Sequence, residues 1–332
     1  MNEQSTNLIT TEEPLIKVDH LKKYFKIKSG KLFDKSEKHL CAVDDVSFDI
    51  KRGETFALVG ESGCGKTTVG KTILRFYEPT GGAAYFNGKN IYEIDKNSFR
   101  SVRQQMQMIF QDPYSSLNPR MTIYESVADV MRIHQMYEGE GLNKRVYQLL
   151  DMVGLPSWLA KRYPHEFSGG QLQRACIARA LALNPQFIVC DEPVSALDVS
   201  IQSQVLNLLM DIQKEIDVSY LFISHGLPAV KYISDRVGVM YMGKLVEVAK
   251  SSQLFKKTIH PYSQALISAV PIPNPDAKSN RIMLEGEVTS PIDPPPGCRF
   301  CSRCPRATEQ CRKVTPELRD MGDGHMVACH MV

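Results

Sequence analysis

The stretch Gly60-Glu61-Ser62-Gly63-Cys64-Gly65-Lys66-Thr67 decides the fold of this chain, because it matches the phosphate-loop pattern G-x-x-x-x-G-K-[ST]. The apolar run Thr55 to Val59 precedes it and indicates a strand, and a helix is expected over Lys66 to Phe76. In such a loop, backbone N–H groups and the helix N-terminus surround phosphate oxygens, the lysine reaches the β- and γ-phosphates, and the threonine hydroxyl ligates Mg²⁺. Residues from Gly60 to Thr68 are therefore expected to bind a nucleoside triphosphate.

A second apolar run, Phe187 to Asp191, ends in two adjacent carboxylates, Asp191 and Glu192. An aspartate at a strand end beside a phosphate loop can hold Mg²⁺ through its coordinated waters, and this is the role expected of Asp191. Glu192 points elsewhere and is expected to polarise the attacking water as a general base. The alternative is a solvated pair of carboxylates at a strand end.

Strands alternating with helices predict an α/β core with a mainly parallel sheet. Short strands are expected at Leu15 to Val18 and Val46 to Ile50, and turns at Gly81-Gly82 and Asn87-Gly88, the second with hairpin chemistry. We expect a disordered tail over residues 1–14, a nucleotide-binding domain over 15–250 with a helical part over about 112–184, and a proline- and cysteine-rich domain over 251–332.

Charge and hydropathy exclude several classes of protein. The net charge of +3 and the lack of a basic stripe argue against a nucleic-acid partner. The N-terminus lacks the basic start and apolar run of a secretory signal, and no stretch approaches the roughly 20 apolar residues of a membrane span. Five of the nine cysteines lie between Cys298 and Cys329. Because disulfides are rare in a reducing cytosol, this cluster indicates metal ligands.

The segment Phe167-Ser168-Gly169-Gly170-Gln171-Leu172-Gln173-Arg174 closely resembles the signature sequence of ATP-binding-cassette (ABC) ATPases. It is a small-residue turn before a helix expected over Gln171 to Leu183, which makes a second anion site at a helix N-terminus. The resemblance implies a mainly parallel sheet, an antiparallel β subdomain and a helical subdomain that carries the signature. It also implies that two subunits pack head to tail, with the phosphate loop of one facing the signature of the other.

Other motifs extend this resemblance and imply roles for single residues. Gln111 matches the glutamine that contacts Mg²⁺ and couples to the membrane subunit, and His225 matches the switch histidine at the γ-phosphate. Asp198, in Ser-Ala-Leu-Asp, matches the loop that crosses the dimer interface. Phe25 matches the aromatic side chain that stacks on adenine, with Tyr24 as a close competitor. The chain departs from the family at Gly226, where an acidic residue is usual.

Three further segments resemble the dipeptide and oligopeptide importer ATPases: Ser115 to Arg120, Tyr163 to Glu166 and His260 to Leu266. The resemblance is closest to the second, F-type ATPase. It implies a peripheral subunit on the cytoplasmic face of the membrane that pairs with a D-type ATPase and energises two permeases, with an extracytoplasmic substrate-binding protein. Nickel and glutathione importers share this architecture and are alternatives. A soluble ABC protein acting on nucleic acid or ribosomes is the alternative from another class, although such proteins tend to carry two cassettes.

The same resemblance implies that the C-terminal cysteines hold a [4Fe–4S] cluster. The matching ligands are Cys298, Cys304, Cys311 and Cys329. Cys301 is extra and could substitute for one of them, and thiolates suit either iron–sulfur clusters or zinc. A zinc site using His325 or His330, or cysteines without metal, are the alternatives.

Overall fold

The computed structural model describes residues 13–28, 37–270, 281–286 and 290–332. Most of the tail expected over residues 1–14 therefore lies outside the described residues. The described strands form two sheets, and the helices pack around the larger one. The expected α/β fold with a mainly parallel sheet and an antiparallel subdomain is confirmed.

The larger sheet has eight strands in the order β11-β12-β10-β9-β3-β8-β7-β6. Its members are β3 (Thr55–Val59), β6 (Met106–Ile109), β7 (Phe187–Asp191), β8 (Ser219–Ile223), β9 (Arg236–Tyr241), β10 (Lys244–Lys250), β11 (Arg319–Asp320) and β12 (Met326–Val327). The five strands from β9 to β6 run parallel. Every residue of β3, β7 and β8 is buried, as expected of parallel strands covered on both faces.

The smaller sheet is antiparallel, in the order β2-β1-β4-β5. Its strands are β1 (Ile16–Lys28), β2 (Glu37–Ile50), β4 (Gly81–Phe86) and β5 (Lys89–Asn90). β1 and β2 are much longer than expected, because much of each strand is only half-buried or exposed and carries polar residues that hide the apolar pattern.

Of the two turns expected from glycine pairs, one is confirmed and one is wrong. Asn87 and Gly88 both have positive φ, at 50° and 74°, and join β4 to β5 as a tight hairpin. Gly81 and Gly82 instead begin β4. Glycine is needed at Gly82 because a Cβ there would lie 2.1 Å from the carbonyl oxygen of His20 on β1.

The described residues form eleven α-helices, numbered in chain order. They are α1 (Lys66–Ile73), α2 (Phe99–Gln105), α3 (Pro113–Ser116), α4 (Ile123–Ile133), α5 (Gly139–Met152), α6 (Gly169–Leu181), α7 (Val199–Ile216), α8 (Leu227–Ile233), α9 (Ser251–Leu254), α10 (Pro261–Ser268) and α11 (Glu309–Lys313). α1 ends three residues before Phe76. α6 begins two residues before Gln171, because Ser168 caps it and accepts a hydrogen bond from the Gln171 N–H. No helix in the described part of the chain combines the length and apolar character of a bilayer span.

Residues beyond 251 return to the core of the molecule. β12 pairs with β10, joining Val327 to Glu247, and so extends the larger sheet. Phe300 is fully buried and contacts the rings of Tyr241 and Tyr262 at centroid distances of 5.3 and 5.5 Å. The C-terminal segment therefore shares its core with the strands that position the phosphate loop.

Candidate active site

The phosphate loop lies between β3 and α1, where close backbone packing requires its glycines. Gly60 and Gly65 have φ of 152° and 107°. A Cβ at Gly60 would lie 2.1 Å from the Met240 carbonyl oxygen, and one at Gly65 would lie 2.0 Å from the Ala42 carbonyl oxygen. The loop is therefore held against β2 and β9 with its backbone in a conformation that other residues rarely adopt.

The Lys66 side chain folds back and bonds to backbone carbonyls of its own loop. Its side chain is buried, and Nζ donates to the carbonyl oxygens of Gly60 at 2.8 Å and Glu61 at 3.0 Å. Both acceptors are neutral, and hydrogen bonds to charged oxygens are roughly twice as strong. A triphosphate can therefore compete for the lysine at little cost.

Asp191 and Thr67 form a pair of oxygen ligands beside the loop. The Thr67 hydroxyl donates to Asp191 Oδ1 at 2.7 Å, which brings the end of β7 against the first turn of α1. Burial raises the pKa of Asp191, although the Thr67 hydrogen bond and the charge of Lys71 oppose that shift. A carboxylate and a hydroxyl fit Mg²⁺, which usually takes its other ligands from water and substrate phosphates.

Glu192 is held by the two other side chains that were expected to act in catalysis. Its Oε2 accepts from Gln111 Nε2 at 2.8 Å, and its Oε1 lies 3.1 Å from His225 Nδ1. Gln111 follows β6, Glu192 follows β7 and His225 follows β8, so all three stand at the carboxyl edge of adjacent parallel strands. Glu192 has a left-handed φ of 47°, and its N–H donates to the Ile223 carbonyl at 2.8 Å. This arrangement orients a base.

A cavity of about 570 Å³ joins these groups to the aromatic side chain expected at adenine. Phe25 lines it and packs edge-on against Tyr77 at a centroid distance of 5.4 Å. Tyr24 is not among the lining residues, and its hydroxyl donates to Asp44 Oδ1 at 2.6 Å. The geometry favours Phe25 over Tyr24.

Several lining residues were not predicted. They are Leu40, Cys41, Ala42, Met242, Gly243 and Pro291. They come from β2, from the turn between β9 and β10, and from the C-terminal segment, and they match no local motif. Pro291 reaches the cavity because its carbonyl accepts from the Cys41 N–H at 3.0 Å.

The signature segment and Asp198 do not line this cavity. The residues concerned are Ser168, Gly169, Gly170, Gln171 and Asp198. Ser168 and Asp198 are exposed, each at the N-terminus of a helix, and Val199 beside Asp198 is 79% exposed. These groups thus face outward, away from the phosphate loop of their own chain.

The C-terminal thiols lie near one another. Burial, together with the neighbouring thiols, raises the pKa of Cys298 to about 11. Within the described residues, however, no group of three or more His, Cys, Asp or Glu side chains is arranged to hold a metal ion. His325 Nε2 bonds to Glu247 at 2.7 Å and His330 Nε2 to the Val314 carbonyl at 2.9 Å. The arrangement as it stands does not fit a single metal ion.

Two family models match separate parts of the chain, and curated relatives match almost all of it. Residues 43–195 match the family described as ABC transporter, and residues 246–311 match the C-terminal region of oligopeptide/dipeptide transporters. The oligopeptide transport ATP-binding protein AppF of Bacillus subtilis is 50% identical over 323 residues, which cover 96% of this chain and 98% of AppF. The putative oligopeptide transport ATP-binding protein YkfD of the same organism is 49% identical, with 96% and 95% covered.

Solved structures match the fold of the nucleotide-binding part. CbiO1 from Clostridium perfringens, part of the ABC transporter complex cbiONQ, has a TM-score of 0.63 at 27% identity, covering 74% of this chain and 92% of that one. The ATP-binding cassette MJ0796, in a dimeric post-hydrolysis state with ADP and Pi, has a TM-score of 0.62 at 27% identity, covering 71% and 98%.

Proposed function

The chain belongs to the ATP-binding proteins of ABC-type peptide transporters, and from that membership we propose that its described cavity is the site where ATP hydrolysis powers peptide import. One observation supports this assignment above the others. Glu192 stands beside the phosphate loop with Gln111 and His225 bound to its two carboxylate oxygens. A phosphate loop alone would bind nucleotide, whereas an oriented carboxylate at its mouth can also activate water.

The residues divide the work of hydrolysis among them. Lys66, now bonded to carbonyls of its own loop, would bind the β- and γ-phosphates, and Thr67 and Asp191 would hold Mg²⁺, which would supply positive charge beside the phosphates. Glu192 accepts a proton from the attacking water, and Gln111 and His225 fix the direction of its carboxylate. Phe25, which lines the cavity, would stack on the adenine.

We propose that the active form is a dimer of cassettes. The helix N-terminus after Ser168 is an anion site that does not reach the cavity of its own chain. A second subunit packed head to tail would place its signature opposite this phosphate loop, with Asp198 at the contact. The D-type ATPase of the same importer is the partner we propose, because the family resemblance is to the F-type member of such a pair.

We further propose that this dimer docks on two membrane permeases at the cytoplasmic face, and that an extracytoplasmic binding protein delivers the peptide. In the helical part, Tyr114, three residues after Gln111, is 54% exposed and Trp158 is 64% exposed, so both side chains are available to such a contact. AppF and YkfD carry names that refer to oligopeptide transport, which supports a peptide cargo.

The iron–sulfur cluster is a separate proposal that rests on the five C-terminal cysteines. Four thiolates of a [4Fe–4S] cluster each bind a different iron, so they stand farther apart than around a single ion. The test is purification without oxygen, with iron, sulfide and zinc content and a visible spectrum. Brown protein containing iron and sulfide is expected, and colourless protein containing stoichiometric zinc would contradict the proposal.

The function is tested by reconstituting the complex. The chain, its D-type partner and the two permeases should purify together, hydrolyse ATP, and hydrolyse it faster with the binding protein and oligopeptides. Nickel and glutathione serve as competing cargoes. Failure of the assembled complex to hydrolyse ATP would overturn the proposal, and stimulation by nickel or glutathione alone would move the cargo to that class.

A further inference from the structure

The loop from Cys298 to Cys304, here named the cysteine loop, sends three side chains into the nucleotide-binding core. Cysteines occupy positions 298, 301 and 304, and Arg299, Phe300 and Arg303 stand between them. Phe300 is buried among Tyr241, Tyr262 and His260. The aromatic contacts fix the loop, and the two arginines then reach Glu61 of the phosphate loop and Asp44 of β2.

Arg303 binds the phosphate loop directly. Its Nη1 atom donates to both carboxylate oxygens of Glu61, at 3.2 and 3.0 Å, and approaches the Tyr241 hydroxyl at 3.4 Å. The Arg303 side chain is 10% exposed and that of Glu61 34%, so the pair is partly shielded from water. The Glu61 N–H also donates to the Tyr262 hydroxyl at 2.9 Å, so the C-terminal segment holds both the backbone and the side chain of this residue.

Arg299 binds β2 of the smaller sheet, the sheet that also carries Phe25. Its Nη2 atom donates to Asp44 Oδ2 at 2.7 Å, and Asp44 also accepts from the Tyr24 hydroxyl and pairs with Lys244. Asp44 follows Ala42 on β2, which lines the cavity. The cysteine loop thus contacts both the smaller sheet and the phosphate loop.

The contact between Arg303 and Glu61 has an electrostatic consequence for nucleotide binding. Glu61 lies within the loop that must receive a highly charged anion, and its carbonyl oxygen is one of the two that hold Lys66. An unpaired carboxylate there would repel the triphosphate, because nearby like charges interact strongly where water is partly excluded. Arg303 neutralises Glu61 and also fixes its position.

We propose that Arg303 is a positioning residue for ATP binding, which acts through Glu61 and makes the cysteine loop part of the nucleotide site. The proposal rests on the proposed function, because it takes the cavity to be the ATP site. It predicts a change in nucleotide affinity with little change in the chemical step, since Arg303 contacts neither Glu192 nor Asp191 among the contacts described.

The test measures ATP affinity of the full-length chain by displacement of a fluorescent ATP analogue, and KM and kcat of the assembled complex. Arg303→Gln is expected to weaken ATP binding and raise KM about five- to tenfold, the scale of one ordinary hydrogen bond in a protein, with kcat within about twofold. Arg303→Lys should fall between this variant and the wild type. Arg312→Gln, at an exposed arginine of the same segment, is the matched control and should resemble the wild type.

The double variant Glu61→Gln/Arg303→Gln provides the rescue. Because it removes the carboxylate together with its partner, ATP binding should return to within about threefold of the wild type. A purely structural role would leave the double variant as weak as Arg303→Gln or weaker, and that result would overturn the proposal. Equal affinity of Arg303→Gln and Arg312→Gln would overturn it as well.

Two further comparisons cover the cases in which Arg303→Gln cannot be purified or the wild type binds no ATP. If Arg303→Gln cannot be purified, Glu61→Gln and the double variant are compared instead, and a fivefold or larger difference between them would contradict an action through Glu61. The proposed function fails separately, if the wild type and Arg312→Gln bind no ATP. If the wild type binds ATP and Arg303→Gln binds it equally well, the inference about Arg303 is wrong while the proposed function stands.

Discussion

Replacing Glu192 with glutamine should stop hydrolysis while preserving the site. The amide has the shape of the carboxylate and can keep both of its contacts, because its oxygen can accept from Gln111 Nε2 and its NH₂ group can donate to an unprotonated His225 Nδ1. Only the proton acceptor is lost. General-base catalysis contributes about 10²- to 10⁴-fold, which corresponds to about 2.7–5.4 kcal/mol of barrier at 1.36 kcal/mol per factor of ten.

The assay is phosphate release by the assembled complex at saturating ATP. We expect kcat to fall by about 10²- to 10⁴-fold with ATP affinity nearly unchanged, because Lys66, Thr67 and Phe25 are untouched. ATP should then accumulate in a closed dimer visible by size-exclusion chromatography. Glu215→Gln, on the exposed face of α7, is the control. A kcat for Glu192→Gln within threefold of the wild type would refute the assignment of Glu192 as the base.

Three further outcomes follow from single contacts. Burial lowers the pKa of His260 to about 4, below its ordinary value of 6.5. Between these two pH values the unfolded chain binds more protons than the folded chain, so the free energy of unfolding decreases as the pH is lowered. His260→Asn should remove about 2 kcal/mol of the loss between pH 7 and 4.5, measured by urea unfolding. Phe25→Ala should weaken ATP binding about tenfold, whereas Tyr24→Phe should change it less than threefold. Gly60→Ala should abolish ATP binding in the same displacement assay, since its Cβ would meet the Met240 carbonyl at 2.1 Å.

The sequence predicted those parts of the fold that local patterns encode. β7 and the strand before the phosphate loop were predicted to the residue, because strands buried on both faces are continuous apolar runs. The lengths of β1 and β2 were not, because polar residues on their less buried faces interrupt the pattern. The glycines of β4 were wrongly predicted to form a turn. Glycine is favoured both in turns and where two backbones approach closely, so the residue type alone does not distinguish the two cases.

The candidate site divides in the same way. Motif matching named Gln111, Glu192 and His225, and the structure brings Gln111 and His225 within hydrogen-bond distance of Glu192. It could not name Pro291 or Arg303, because their roles arise where distant segments meet. No spacing in the chain encodes that Arg303 lies against a residue of the phosphate loop, because this contact depends on tertiary packing such as that of Phe300.

The pairing of β12 with β10 bears on the order in which the chain folds. A ribosome releases the nucleotide-binding strands long before residues 319–327, and domains tend to fold from the N-terminus as they emerge. Until those residues arrive, the outer main-chain groups of Glu247 and Val248 have no strand to pair with. An unpaired edge is a template for association between chains. A product shortened before Arg319 should therefore aggregate, even though every nucleotide motif in it is intact.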